Sequence, residues 1–204
     1  MPPSRVFSRD AVLQGAFRLA REKGRRALTA RQVAGRLRCS TTPIYEHFGT
    51  IDNLRLEVAG LAREVLLEYT RRPYTEHPFL NMGIGVVTFA KEQTELYRML
   101  FMESSEFRGV NEELLAVLVR DMEHDIRFKD MDLARRGRLL EKMSTFTYGL
   151  ASTICLGLAR ESSDAYIHKI LKEVGSVVIA AALEESAKSK GNKGCAGEWR
   201  PVEW

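Results

Sequence analysis

The stretch Leu28–Leu54, LTARQVAGRLRCSTTPIYEHFGTIDNL, decides how this chain is read. Thr29 is placed to cap a helix by accepting from the Gln32 amide, and Gln32 to reach back, a capping box. Leu28 before the cap and Val33 after it form the matching hydrophobic staple. Ala34 is small enough for a second helix to cross closely, while Val33 and Leu37 supply the apolar face. Arg38-Cys39 makes the turn. Ser40 is then expected to cap a second helix, with Pro43 in its first turn, where a missing N–H costs nothing.

That spacing exposes Thr41, Thr42 and Tyr45 on the leading part of the second helix and turns Ile44 and Phe48 inward. A supported second helix with small hydroxyl side chains at its start is the pattern of a helix-turn-helix. Its leading residues can enter a major groove and meet base edges or phosphates.

The series L-T-x-R-x-V-A, S-x-x-x-I-Y-x-H-F and x-T-x-D-x-L resembles the DNA-binding region of the TetR (tetracycline repressor) family of transcriptional regulators. The resemblance covers about the first quarter of the chain. It implies that Tyr45 and His47 contact the DNA backbone, that Thr41 and Thr42 sit where bases are read, and that Arg31 also touches DNA. Ser40 and Pro43 belong to the same surface. Two departures stand out. Arg38 occupies a turn position where the family usually has Gly, and Ile51 stands where it usually has a Lys that anchors a phosphate. Arg5, Arg9 and Arg25 are candidates to replace that contact.

The 204 residues suffice for one sizeable core or two small ones, and 45% hydrophobic with 28% charged residues is ordinary for a globular protein. The net charge of +4 is unevenly spread: Met1 to Gly49 carries ten Lys and Arg against three acids, or +7, and the remainder is −3. A positive N-terminal end suits nucleic acid, although charge alone fits a solvated basic face equally well. Three distant cysteines, Cys39, Cys155 and Cys195, point to a reducing compartment. MPPSRVFSRD has no apolar segment of a signal peptide, so a cytoplasmic location is expected. Met143–Ala159 carries no formal charge but is short and dotted with Ser and Thr, so it reads as a helix buried in protein and no membrane partner is expected.

Periodicity is helical throughout, so the expected fold class is all-α. A three-helix head spans residues 1–50, a helical effector-binding and dimerisation bundle residues 51–189, and a flexible tail residues 190–204. The first helix follows Ser8 and stops at Gly24. After Gly49-Thr50 a long helix ends near Arg72, because Pro73 disfavours a helical residue before it. Further helices are expected at about 78–91, 94–102, 111–128, 133–160 and 164–189. Small residues on the last two, including Gly149, Ser152, Gly157, Gly175 and Ala181, suit close helix approach across a two-fold axis, and the resemblance also implies a homodimer. The tail holds both tryptophans, Trp199 and Trp204.

No signature of catalysis or metal binding is present. The four histidines lack metal-ligand spacing, and Glu123-His124-Asp125 would point to different sides of a helix. No cofactor and no enzymatic activity are expected. Phe79, Met82, Phe89, Tyr97, Met99, Phe101, Met102, Met122, Phe128, Met143 and Phe146 exceed what a small core needs. By resemblance a ligand pocket lies among these helices; Phe89, Phe101, Met122 and Phe146 are the lining candidates, and a hydrophobic effector is expected. The resulting reading is a dimeric regulator that binds a palindromic double-stranded DNA operator and responds, as a repressor, to a small molecule. Two other classes remain open: a helical small-molecule-binding protein that has lost DNA recognition, and a small helical enzyme using His124 or an acid in the bundle.

Overall fold

The computed structural model describes residues 7–103 and 107–190, so the expected tail and Arg5 lie outside the described residues apart from Lys190. The described residues form nine α-helices and no strand. They are α1 (Arg9–Lys23), α2 (Ala30–Leu37), α3 (Thr42–Phe48), α4 (Ile51–Thr70), α5 (Pro78–Glu92), α6 (Thr94–Phe101), α7 (Arg108–Asp121), α8 (Leu133–Cys155) and α9 (Asp164–Lys190).

Two compact units divide them. The first runs to Val65 and also takes in Glu92–Asn111; the second takes in Leu66–Lys91 and everything described from Glu112 onward. Helix α4 therefore passes from one unit into the other without a break, as α7 does.

In the first unit α1 packs on α2, α3 and α6. Its start is set by Ser8, whose hydroxyl accepts from Ala11 N, and its end by Gly24 at φ 74°. Val12, Ala16, Leu19 and Ala20 of α1 are buried, as are Leu96, Tyr97, Met99 and Leu100 of α6. The α6 side is tied on by Arg21 Nε, which donates to Gln93 Oε1 at 2.7 Å. Helix α4 adds two polar ties. Arg55 Nε donates to Leu28 O at 2.9 Å, and Asn53 Nδ2 donates to Phe48 O at 2.8 Å, each satisfying a carbonyl beside a short helix.

In the second unit α5 is buried on nearly all sides, from Phe79 to Ala90. A helix so placed must be apolar around its circumference, and its sequence PFLNMGIGVVTFAKE is. Asn81 is buried but hydrogen-bonded at both ends of its amide: its Oδ1 accepts from Thr75 N and Oγ1, each at 2.8 Å, and its Nδ2 donates to Thr75 O at 2.9 Å. That triplet shapes the loop after α4. Gly85 faces the last turn of α4 so closely that backbone atoms of Tyr69 and Thr70 occupy the space of a Cβ.

Two expected helices end early. The stretch expected as one helix over 111–128 stops at Asp121 and continues as short 3₁₀ turns, Met122–His124 and Ile126–Phe128, about an extended Asp125. Asp125 is buried, and its carboxylate accepts from Arg127 Nε at 2.8 Å, Arg127 Nη2 at 2.6 Å and Phe79 N at 3.3 Å. It thus satisfies an open amide at the start of α5, a capping role that a helical Asp125 would not fill. Beside it Arg136, 6% exposed, donates to the carbonyls of Phe128 and Lys129. Helix α8 was expected to reach residue 160 and stops at Cys155. Gly157 takes φ 69°, Leu158 N donates to Thr153 O and Gly157 N to Ile154 O, which is a Schellman ending.

Candidate nucleic-acid interface and ligand cavity

Helices α2 and α3 form the expected helix-turn-helix. Thr29 accepts from Gln32 N at 3.3 Å, but the reciprocal half of the capping box is absent because the Thr29 amide donates to Ala27 O at 2.9 Å. The turn holds Arg38 at φ 56°, ψ 48°, the one described non-glycine residue with positive φ. Arg38 N donates to Gly35 O and Cys39 N to Ala34 O, a second Schellman ending with arginine in the place that favours glycine. Burial pushes the Cys39 thiol up, which disfavours its reactive thiolate.

Ser40 does not cap α3. The N-cap is Thr41 in helical conformation with no side-chain cap, and Pro43 falls in the first turn as expected. The helix is held from behind: Ile44 is fully buried and Phe48 nearly so, with the Arg9 guanidinium 4.8 Å from the Phe48 ring centre. Its front is open. Ser40, Thr41, Thr42 and Glu46 are exposed, and Tyr45 is 49% exposed. Arg31 and Arg38 are also exposed, and neither side chain has an ion-pair or hydrogen-bond partner among the described residues.

His47 is half-buried, and its Nε2 lies 2.7 Å from Phe7 O. A carbonyl only accepts, so Nε2 carries the proton and donates. That ties the chain before α1 to the recognition helix and leaves Nδ1 as the ring atom for any outside partner. Ile51 is half-buried at the first position of α4, so no cation stands there.

The second unit holds a cavity of about 150 Å³ that is partly open to solvent. Phe79, Met82 and Val86 of α5, Leu118 of α7, Met143 of α8 and Leu171 of α9 give it apolar walls. Three of these, Phe79, Met82 and Met143, stand among the surplus apolar residues of the sequence. The four chosen lining candidates are elsewhere. Phe89 is buried edge-on against Tyr69, Phe101 belongs to the first unit beside Tyr97, and neither Met122 nor Phe146 borders the cavity. Packing explains the difference: Phe89 and Met122 have no exposure at all, being filled core rather than wall. The polar members, Arg127, Lys172, His77, Thr147 and Ser144 among them, carry no periodic signal in the sequence.

The small residues expected at a dimer surface separate into three groups. Gly149 and Ala181 are exposed and Ser152 is half-buried. Gly157 is exposed in the turn after α8, not on the helix. Gly175 is buried, borders the cavity and faces Met143 of the same chain, so it belongs to internal packing. Among the described residues no group of three His, Cys, Asp or Glu could hold a metal ion. No described helix is long and apolar enough to cross a membrane.

An all-α chain with a helix-turn-helix in one unit and a cavity-bearing helical bundle in the other defines an architectural class. No family model and no curated protein matches the chain. Among solved structures, a Rhodococcus sp. protein assigned to the TetR family of transcriptional regulators matches with a TM-score of 0.63 at 17% identity, over 84% of this chain and 98% of that one. The chain has the fold of a TetR-family transcriptional regulator.

Proposed function

We propose that the chain is a DNA-binding transcriptional regulator, a homodimer that represses from a palindromic operator and is released by a small molecule held in the second unit. The observation that carries this is α3 itself. Its apolar rear is anchored by Ile44 and Phe48, while Thr41, Thr42 and Tyr45 are exposed. Arg31 on α2 and Arg38 in the turn are exposed too, and their side chains have no partner among the described residues. A helix whose exposed front is short and polar, in a helix-turn-helix that also exposes unpaired cations, suits a major groove between two phosphate rows. A two-fold dimer would set two such helices roughly 34 to 36 Å apart, one turn of DNA. The head of this reading is residues 1–50, the bundle 51–189, and the location the cytoplasm.

The reading of a helical ligand-binding protein without DNA recognition draws on Ile51, which offers no charge where a phosphate anchor is expected. The test is fluorescence anisotropy of a labelled duplex from upstream of the gene, titrated at two salt concentrations beside a scrambled duplex of equal composition. Tight, sequence-selective binding supports the regulator. Equal, weak binding to that duplex, its scramble and every member of a random library supports the ligand-binding protein.

A further inference from the structure

The cavity walls divide by chemistry. The buried part is apolar except for Thr147, which is 4% exposed and whose hydroxyl has no hydrogen-bond partner among the described residues. The solvent-exposed part carries Arg127 and Lys172, with half-buried His77 also in the lining. No carboxylate lines the cavity. Arg127 is already matched by Asp125, so its charge is largely cancelled. Lys172 has no acidic partner among the described residues and supplies the net positive charge. An apolar pocket of about 150 Å³ holds a body of about six carbons, the size at which such a cavity takes benzene.

The geometry points to a small anionic amphiphile as the effector: a monocarboxylate with an apolar body of about six to eight carbons, its head at Lys172 and its body against Met82, Leu118, Met143 and Leu171. This rests on the reading of the cavity as the effector site, and it replaces a purely apolar ligand with one of defined polarity. A cationic head would meet the unpaired charge of Lys172 with no acid in the lining to offset it. A neutral head would leave the lysine unused. The unpartnered Thr147 hydroxyl gives room for one polar substituent inside, where a bare methylene would leave it unsatisfied.

Isothermal titration calorimetry of the full chain with octanoate, 1-octanol and octylamine tests this. The expected order is octanoate first, 1-octanol next and octylamine last, with at least about tenfold between the first and the last. Lys172→Met, at an exposed position, is expected to weaken octanoate about threefold to tenfold and leave 1-octanol unchanged. Gly175→Leu fills the cavity, and the loss of both ligands locates them there. Equal or tighter binding of the alcohol overturns the inference, and so does the absence of binding by all three. Because the titration uses no DNA, octanoate binding by a chain that ignores every duplex would overturn only the regulator reading. Operator binding without octanoate binding would overturn only this one.

Discussion

Replacing Gly85 with alanine probes the closest helix approach in the second unit. The added methyl would sit 2.4 Å from Tyr69 O and 2.6 Å from both Thr70 Cα and Tyr69 C. All three are backbone atoms of the last turn of α4, so no rotamer change can clear them. Carbon contacts settle at about 3.5 to 4.0 Å, so α5 must retreat by about 1 Å or bend. Overpacking of this kind costs about 1 to 3 kcal/mol, and a fixed backbone obstacle places it at the upper end, about 3. Alanine recovers about 1 kcal/mol of helix propensity, for a net loss of about 2. In a chain of this length that lowers the melting temperature by roughly 4 to 8 °C. Thermal unfolding followed by circular dichroism reads it, with Gly35→Ala as the control. Gly35 is helical and exposed with nothing within 4 Å of its added methyl, so the control should gain up to about 1 kcal/mol. A Gly85→Ala protein that melts at or above the wild-type temperature would refute the argument, because the close approach of α5 to α4 could not then exist.

Arg38→Gly relieves an arginine held at φ 56° and should stabilise the chain by about 1 kcal/mol, while weakening DNA binding and reducing the salt slope by about one phosphate contact. Stability gained with an unchanged slope would remove Arg38 from the interface. Tyr45→Phe should weaken binding to all duplexes alike without changing the salt slope, since a phenol releases no counterion, whereas Thr41→Ala or Thr42→Ala should alter base preference in a binding-site selection. Burial pushes the Asp125 carboxyl up, but its hydrogen bonds from Arg127 and Phe79 N outweigh this and hold it below the ordinary range. Its contribution is therefore complete at neutral pH and is lost as the pH falls through that lowered value. Asp125→Asn should cost about 2 kcal/mol at pH 7 and flatten the acid limb of the urea-unfolding profile; an unchanged limb would remove Asp125 as its source.

The helix-turn-helix was readable because its determinants are local. Thr29, Pro43, Ile44 and Phe48 act within one or two turns of their own positions, and the Arg38 departure marked the strained turn that the structure contains. The break at Asp125 was harder to read, because its reason is the Phe79 amide 46 residues away. Gly157 carried a usable signal, a glycine followed by leucine at a helix end, yet as one small residue among several it read as part of a packing stripe. The cavity was hidden for a different reason. Periodicity shows which residues turn inward, but a cavity exists where inward residues fail to meet, and Phe89 and Met143 look alike until their neighbours are placed. Thr147 and Lys172 interrupt the apolar pattern instead of following it.

The chain leaves the first unit at Val65 and comes back to it from Glu92 to Asn111, and this has a consequence for how the protein is made. The partners of α1 on that side, Gln93 and helix α6, are synthesised after the whole helix-turn-helix. At about 5 to 20 residues per second the stretch from Val65 to Asn111 takes roughly 2 to 9 s to emerge. During that interval the nascent head carries an uncovered apolar flank. A gene fragment ending after α4 would lack Gln93 and α6 and keep that flank of α1 open, so the structural unit is not contiguous in the message.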